Sequence, residues 1–159
     1  MNLIGYSECY WAGSIDDMKS TSGYVFLFGS TICSWLSKKQ SVVAQSNAQA
    51  EYVSASKATS QAIWLRRIFE DIGEKQKKSI VLYCDNKSAI AIAKNPVNHE
   101  RSKHISIKYH FILEAHEKGE IQLHYCQTGE QLADIFTKAL PREKICYLRE
   151  RIGVIKQMH

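Results

Sequence analysis

The run Ile80-Val81-Leu82-Tyr83-Cys84 most constrains what this chain can become. It is apolar at every position and is followed at once by Asp85. So short an apolar run, bounded by turn residues, reads as a strand buried in the middle of a sheet. Helical patterns flank it. Ser46-Asn47-Ala48-Gln49 matches a capping box with Ser46 as N-cap. Behind it Ala55, Ala58, Ala62, Leu65 and Phe69 recur at spacings of three and four, until Gly73 ends the pattern. After the strand, Asp85-Asn86-Lys87-Ser88 turns the chain into a short helix over Ala89–Ala93, stopped by Asn95-Pro96. A buried strand between helices points to an α/β fold.

The remaining segments extend that reading. Leu3–Glu8, Gly23–Phe28 and Thr31–Trp35 are strand-like, the last two joined by a tight turn at Gly29-Ser30. A loop rich in His and basic residues leads to a predicted helix over Ile105–Lys118, which Gly119 breaks. Ile121–Tyr125 alternates as a further strand. Thr128-Gly129-Glu130-Gln131 reads as a second capping box, opening a helix to about Leu140. Ile145, Leu148 and Ile152 mark a final amphipathic helix. Residues 1–141 are expected to form the domain, and 142–159 a C-terminal helix and tail.

Length and charge narrow the class. A chain of 159 residues, 45% apolar, suits one domain with a real core. Lys and Arg total 21 against 16 Asp and Glu, a net charge of +5, which leans mildly toward a polyanionic partner. The five cysteines form no C-x-x-C pair, so neither a disulfide framework nor a zinc site is expected, and a reducing compartment fits. No apolar run reaches the ~20 residues of a membrane span. A soluble intracellular protein is the expectation.

Carboxylates stand where a core should be apolar. Glu51 lies one turn before Ala55 on the apolar stripe, Asp85 ends the most buried strand, Glu8 ends the first strand, and Asp134 lies in the second turn of the helix that the Thr128–Gln131 capping box opens. Each has a plainer reading. Asp85 can cap the next helix, Asp134 can pair with Lys138 at i,i+4, and Glu51 and Glu8 can be solvated at a rim. Spacing alone does not bring four acids on separate elements together.

Longer motifs do carry a resemblance. Gly5-Tyr6-Ser7-Glu8-Cys9-Tyr10-Trp11-Ala12-Gly13, Ser34-Trp35-Leu36-Ser37-Lys38-Lys39-Gln40, Tyr83-Cys84-Asp85-Asn86-Lys87-Ser88-Ala89, Arg101-Ser102-Lys103-His104-Ile105 and Leu132-Ala133-Asp134-Ile135-Phe136-Thr137-Lys138 occur in order along the chain. So do Lys19-Ser20-Thr21-Ser22-Gly23-Tyr24 and Ala50-Glu51-Tyr52-Val53. Together they resemble the ribonuclease H domain that ends plant copia-type retrotransposon Pol polyproteins. The resemblance implies a ribonuclease H-like fold, a five-stranded mixed sheet flanked by helices. It implies hydrolysis of the RNA strand of RNA–DNA hybrids during reverse transcription. It implies two Mg²⁺ ions, for which Mn²⁺ can substitute, held by Glu8, Glu51, Asp85 and Asp134. RNA–DNA hybrid and the reverse transcriptase domain of a parent polyprotein are the implied partners, and a cytoplasmic virus-like particle or the nucleus the implied location. Asn86, Arg101, Lys103, His104 and Lys108 are candidate nucleic-acid contacts; a solvated loop is the plainer reading of the basic stretch.

The chain also departs from the family pattern. Glu8 stands where an Asp is expected, and Tyr10, Ser14, Gln49 and Ser106 stand where acids are expected. Glu8 keeps the charge but adds a methylene, and a misplacement of about 1 Å can cost on the order of 10²-fold in rate. An impaired enzyme is therefore expected. A noncatalytic nucleic-acid-binding or scaffold module stays open as the alternative. An integrase-like pairing of Asp85 with Glu120 is disfavoured, because Glu120 follows Gly119 at a helix-to-strand turn. Met1 is compatible with a separated open reading frame, which would lack the preceding reverse transcriptase.

Overall fold

The computed structural model describes residues 1–94 and 103–155. Its strands are β1 (Leu3–Tyr10), β2 (Thr21–Phe28), β3 (Thr31–Lys39), β4 (Ile80–Cys84) and β5 (Ile121–Tyr125). Its helices are α1 (Asn47–Asp71), α2 (Lys87–Lys94), α3 (Lys103–Glu117) and α4 (Arg142–Arg151). The sheet runs β3-β2-β1-β4-β5. β1 to β3 pair antiparallel, while β1–β4 and β4–β5 are parallel, so the five-stranded sheet is mixed, as expected.

Alternation along β2 divides the interior into two layers. Tyr24 and Phe26 join the larger core, with Leu82 of β4, Leu123 of β5 and the stripe Ala55, Ala58, Ala62 and Leu65 of α1. The small alanines let α1 lie close to the sheet. Val25 and Leu27 point the other way, into a smaller core with Leu132, Ala133 and, from α4, Leu148 and Ile152. That second layer covers the sheet only in part. Val81 and Tyr83 are therefore half-buried, and β4 is sealed on one face, not both as its composition suggested. Tyr83 is instead covered by rings, stacking on Tyr6 with centroids 5.0 Å apart and meeting His124 edge-on at 6.0 Å.

Two elements differ from expectation. β3 continues past Trp35 to Lys39 because β2 begins at Thr21 and pairs with it along that length; of the extra residues Leu36 packs against the larger core, while Ser37, Lys38 and Lys39 are polar on an edge strand. The helix predicted from the second capping box is absent. Thr128–Glu130 and Leu132–Phe136 are two separate 3₁₀ turns. Gln131 turns inward: its Nε2 donates to Ser7 O at 2.9 Å and its Oε1 accepts from Ala133 N at 3.2 Å. A side chain used to tie the turn to β1 cannot serve as the return arm of a capping box.

The 3₁₀ segment presses closely on the sheet. A Cβ at Gly23 would stand 2.7 Å from Thr137 Cγ2 and 3.2 Å from Ala133 O. Gly23→Ala should therefore destabilise the fold by about 1–3 kcal/mol through overpacking. Urea unfolding would measure this, and an unchanged midpoint would show that the 3₁₀ segment shifts freely.

Candidate active site

Local structure positions each acid. Glu8 faces Gly23 across the β1–β2 ladder, near the end of β1. Ser46 caps α1 through a 3.1 Å bond from Gln49 N to its Oγ, which sets Glu51 in the opening turns of that helix. Glu51 Oε1 accepts from Cys9 N at 3.1 Å, joining the helix to the end of β1. Asp85 directly follows β4. Asn86, not Asp85, caps α2, since its Oδ1 accepts from Ala89 N at 2.9 Å. Asp85 is thereby left to face the other acids. Glu8, Glu51 and Asp85 each offer an oxygen, and these atoms lie within 4.8 Å of one another. Glu51 is 3% exposed and Glu8 5%, so neither is a solvated rim residue.

The electrostatics of this group are unfavourable without a cation. Burial first, then the charges of Glu51 and Asp85, raise the Glu8 carboxyl well above its ordinary value. Burial and Asp85 raise Glu51 likewise, against the opposing hydrogen bonds from Glu8 and the Cys9 amide. Glu8 Oε2 and Glu51 Oε2 are buried with no hydrogen-bond partner among the described residues. Converging hard oxygens with unused lone pairs fit a divalent cation of the Mg²⁺ type.

Asp134 is treated differently. It is fully buried in the 3₁₀ turn Leu132–Phe136, not on an α-helix, and lies outside the group of three. Lys138 Nζ sits 3.0 Å from its Oδ1 and Lys144 Nζ 2.6 Å from its Oδ2. The i,i+4 spacing made Lys138 legible in sequence; Lys144 comes from α4 and was not. Burial works to lower the Lys138 amine, but Asp134, with Glu8 and Asp85 beyond it, holds it above its ordinary value.

The acids open into a cleft of about 330 Å³ that Tyr10, Trp11, Asn86, Thr128 and Lys138 also line. Of these only Asn86 was singled out in sequence as a contact. Arg101 lies outside the described residues, as do the side chains of Lys103 and His104. Lys108 is half-buried, and burial holds its amine below the ordinary value. Lys57 is lowered too, by burial and then by the charges of Lys108 and Lys38. α1, α3 and β3 thus collect positive charge in one region, which no sequence spacing revealed.

These shifts predict a pH dependence. A carboxyl raised on folding binds its proton more tightly in the native state, so native stability is fully present below the ordinary value of 4.5 and falls as pH rises through the raised values. In chelator, the melting temperature should fall from pH 5 to pH 8 by more than a carboxylate-free variant predicts. Adding Mg²⁺ should flatten the curve, and Glu8→Gln should raise metal-free stability at pH 8. A metal-independent curve would show that the acids do not share a cation.

Comparison with known proteins agrees with the geometry. No family model matches the chain. It is 40% identical over 152 residues to the Retrovirus-related Pol polyprotein from transposon TNT 1-94 of Nicotiana tabacum, covering 96% of this chain and 11% of that protein. It is 39% identical over 156 residues to the Pol polyprotein from transposon RE2 of Arabidopsis thaliana, covering 98% of this chain and 11% of that protein. The chain therefore spans about a ninth of the length of these relatives. Among solved structures, LC11-RNase H1 in complex with RNA/DNA hybrid superposes with a TM-score of 0.61 at 10% identity, over 86% of this chain and 94% of that one. The chain has a ribonuclease H-like fold and is homologous in sequence to one stretch of plant retrotransposon Pol polyproteins.

Proposed function

We propose that this domain hydrolyses the RNA strand of RNA–DNA hybrids at the cleft of Glu8, Glu51 and Asp85, with Mg²⁺ or Mn²⁺ as cofactor. The carrying observation is that carboxylates from β1, α1 and the end of β4 converge while two buried oxygens stay unpartnered. The relatives and the hybrid-bound RNase H1 support the same substrate class. Bound there, divalent cations would generate a nucleophilic water and neutralise charge on the attacking and leaving oxygens of a phosphodiester.

The chain's own groups serve binding and position. Glu8, Glu51 and Asp85 would hold the metal, and the cations of Lys38, Lys57 and Lys108 would draw the phosphate backbone. Arg101, Lys103 and His104 remain proposed contacts. Lys138 lies at the cleft wall, where it can meet a phosphate. Asp134 would complete a second metal position only on releasing Lys138 and Lys144. The reverse transcriptase domain of a parent polyprotein is the proposed partner. Glu8 supplies charge on a longer arm than Asp, so the enzyme is expected to be slow. One observation favours a second reading, a noncatalytic hybrid-binding module: two lysines already neutralise Asp134.

Cleavage of one labelled hybrid by the wild type, Glu8→Asp and Asp85→Asn decides between them. We expect weak wild-type cleavage, stronger in Mn²⁺ than Mg²⁺, a gain in Glu8→Asp of up to about 10²-fold, and none left in Asp85→Asn. Hybrid affinity should fall as salt rises. Full activity in Mg²⁺ that Glu8→Asp leaves unchanged would refute the impairment. Binding without cleavage in both wild type and Glu8→Asp would establish the noncatalytic reading.

A further inference from the structure

A second concavity, of about 390 Å³, lies between α2 and the end of β5, lined by Lys87, Ile90, Lys94, Leu123, His124 and Tyr125. Among the described residues its lining holds two lysines and a histidine and no carboxylate. Neither lysine has an ion-pair partner among the described residues. Lys87, Ile90 and Lys94 follow the helical spacing of three and four, so the lysines stand at the two ends of one α2 face. At 1.5 Å rise per residue they are separated by about 10 Å along the helix. Tyr125 is 45% exposed, and Lys87 Nζ lies 4.7 Å from the centroid of its ring. Lys87 thus makes a cation–π pair with Tyr125, while Lys94 stands exposed at the far end of the same helix face.

Its place in the fold links this groove to the acids. Tyr125 is the partner of Cys84 in the β4–β5 register, and Cys84 immediately precedes Asp85. Lys87 opens α2 just beyond Asp85 and Asn86. The groove thus starts one strand away from the carboxylate group and has the opposite charge. A ligand crossing both must carry phosphates along its length, and between them a flat face for Tyr125.

We propose that this groove binds a polynucleotide strand outside the cleavage cleft, one base stacking on Tyr125 while phosphates on either side of it pair with Lys87 and Lys94. Sites that combine a basic track with an aromatic platform hold single strands in this manner with little sequence preference. His124 borders the same wall, where its edge contact with Tyr83 and a 3.3 Å contact from its Nε2 to Gln122 Oε1 hold the ring in place. The proposal rests on the reading of the acid cluster as a phosphodiester site, since that reading brings the polymer to this edge of the sheet.

The test is titration of the full chain with a fluorescent RNA–DNA hybrid and a single-stranded DNA of equal length, in Ca²⁺ at two salt concentrations. Tyr125→Ala should weaken binding about tenfold, Tyr125→Phe should restore it, and Lys94→Gln should lower the slope of log affinity against log salt by about one. Each altered side chain is exposed, and unchanged melting temperatures would confirm that the variants fold. If the parent binds and cleaves hybrid but these variants match it, the groove is refuted and the cleavage reading stands. If the parent neither binds nor cleaves, both fail. If polyglutamate of equal charge displaces the DNA from parent and Tyr125→Ala alike, the groove recognises charge alone, and the stacking role is overturned.

Discussion

The parallel pairing of β1 with β4, Ile4 against Val81 through Tyr6 against Tyr83, puts two strand ends side by side. Glu8 and Asp85 each lie two residues beyond the last of these pairs, so the register itself sets one carboxylate beside the other. A one-residue slip would turn Glu8 to the opposite face of the sheet. The third acid arrives from above, because the alanine stripe of α1 seats that helix on the sheet and the Cys9 amide holds Glu51. Open α/β sheets gather ligands at the carboxyl ends of their strands, and here those ends carry charge in place of polar backbone alone.

Buried carboxylates are handled in two ways within a few residues of one another. Asp134 is neutralised internally by Lys138 and Lys144, which is what a fully buried charge requires. Glu8 and Glu51 have no ion-pair partner among the described residues, and burial together with neighbouring carboxylates raises both carboxyls above their ordinary values. The contrast separates a closed ion-pair site from an open one with room for a ligand. Asn86 contributes by taking the helix cap, so that Asp85 is not spent on backbone amides. Gln131 contributes by bonding Ser7 O, which pins the 3₁₀ turn carrying Asp134 against β1.

LC11-RNase H1 has the same fold at 10% identity, so this frame of strands does not depend on most of the side chains. Two of the departures from the family motifs, Glu8 and Tyr10, line the cleft. Tyr10 occupies the wall where its motif predicts an acid, its ring 5.7 Å from Lys138 Nζ. Exchanging a carboxylate for an aromatic there removes repulsion toward phosphates and adds a flat surface.

Much of the fold was legible in the chain itself. β4 and β5 appear with their expected bounds, and α1 begins at its Ser46 cap, because apolar runs, alternation and capping are local properties. The second capping box failed because a tertiary bond from Gln131 to Ser7 outweighed a local preference. The two-sided burial of β4 failed because α4 and the 3₁₀ turns cover only one end of their face. For the site, the residue types and the Lys138 pairing could be read from spacing and motif. Only the tertiary structure decided that Glu8, Glu51 and Asp85 meet while Asp134 stands apart with Lys144. The reason is physical: the acids are separated by dozens of residues, and their distances depend on strand register and on how closely α1 and the 3₁₀ segment approach the sheet, quantities no local pattern encodes.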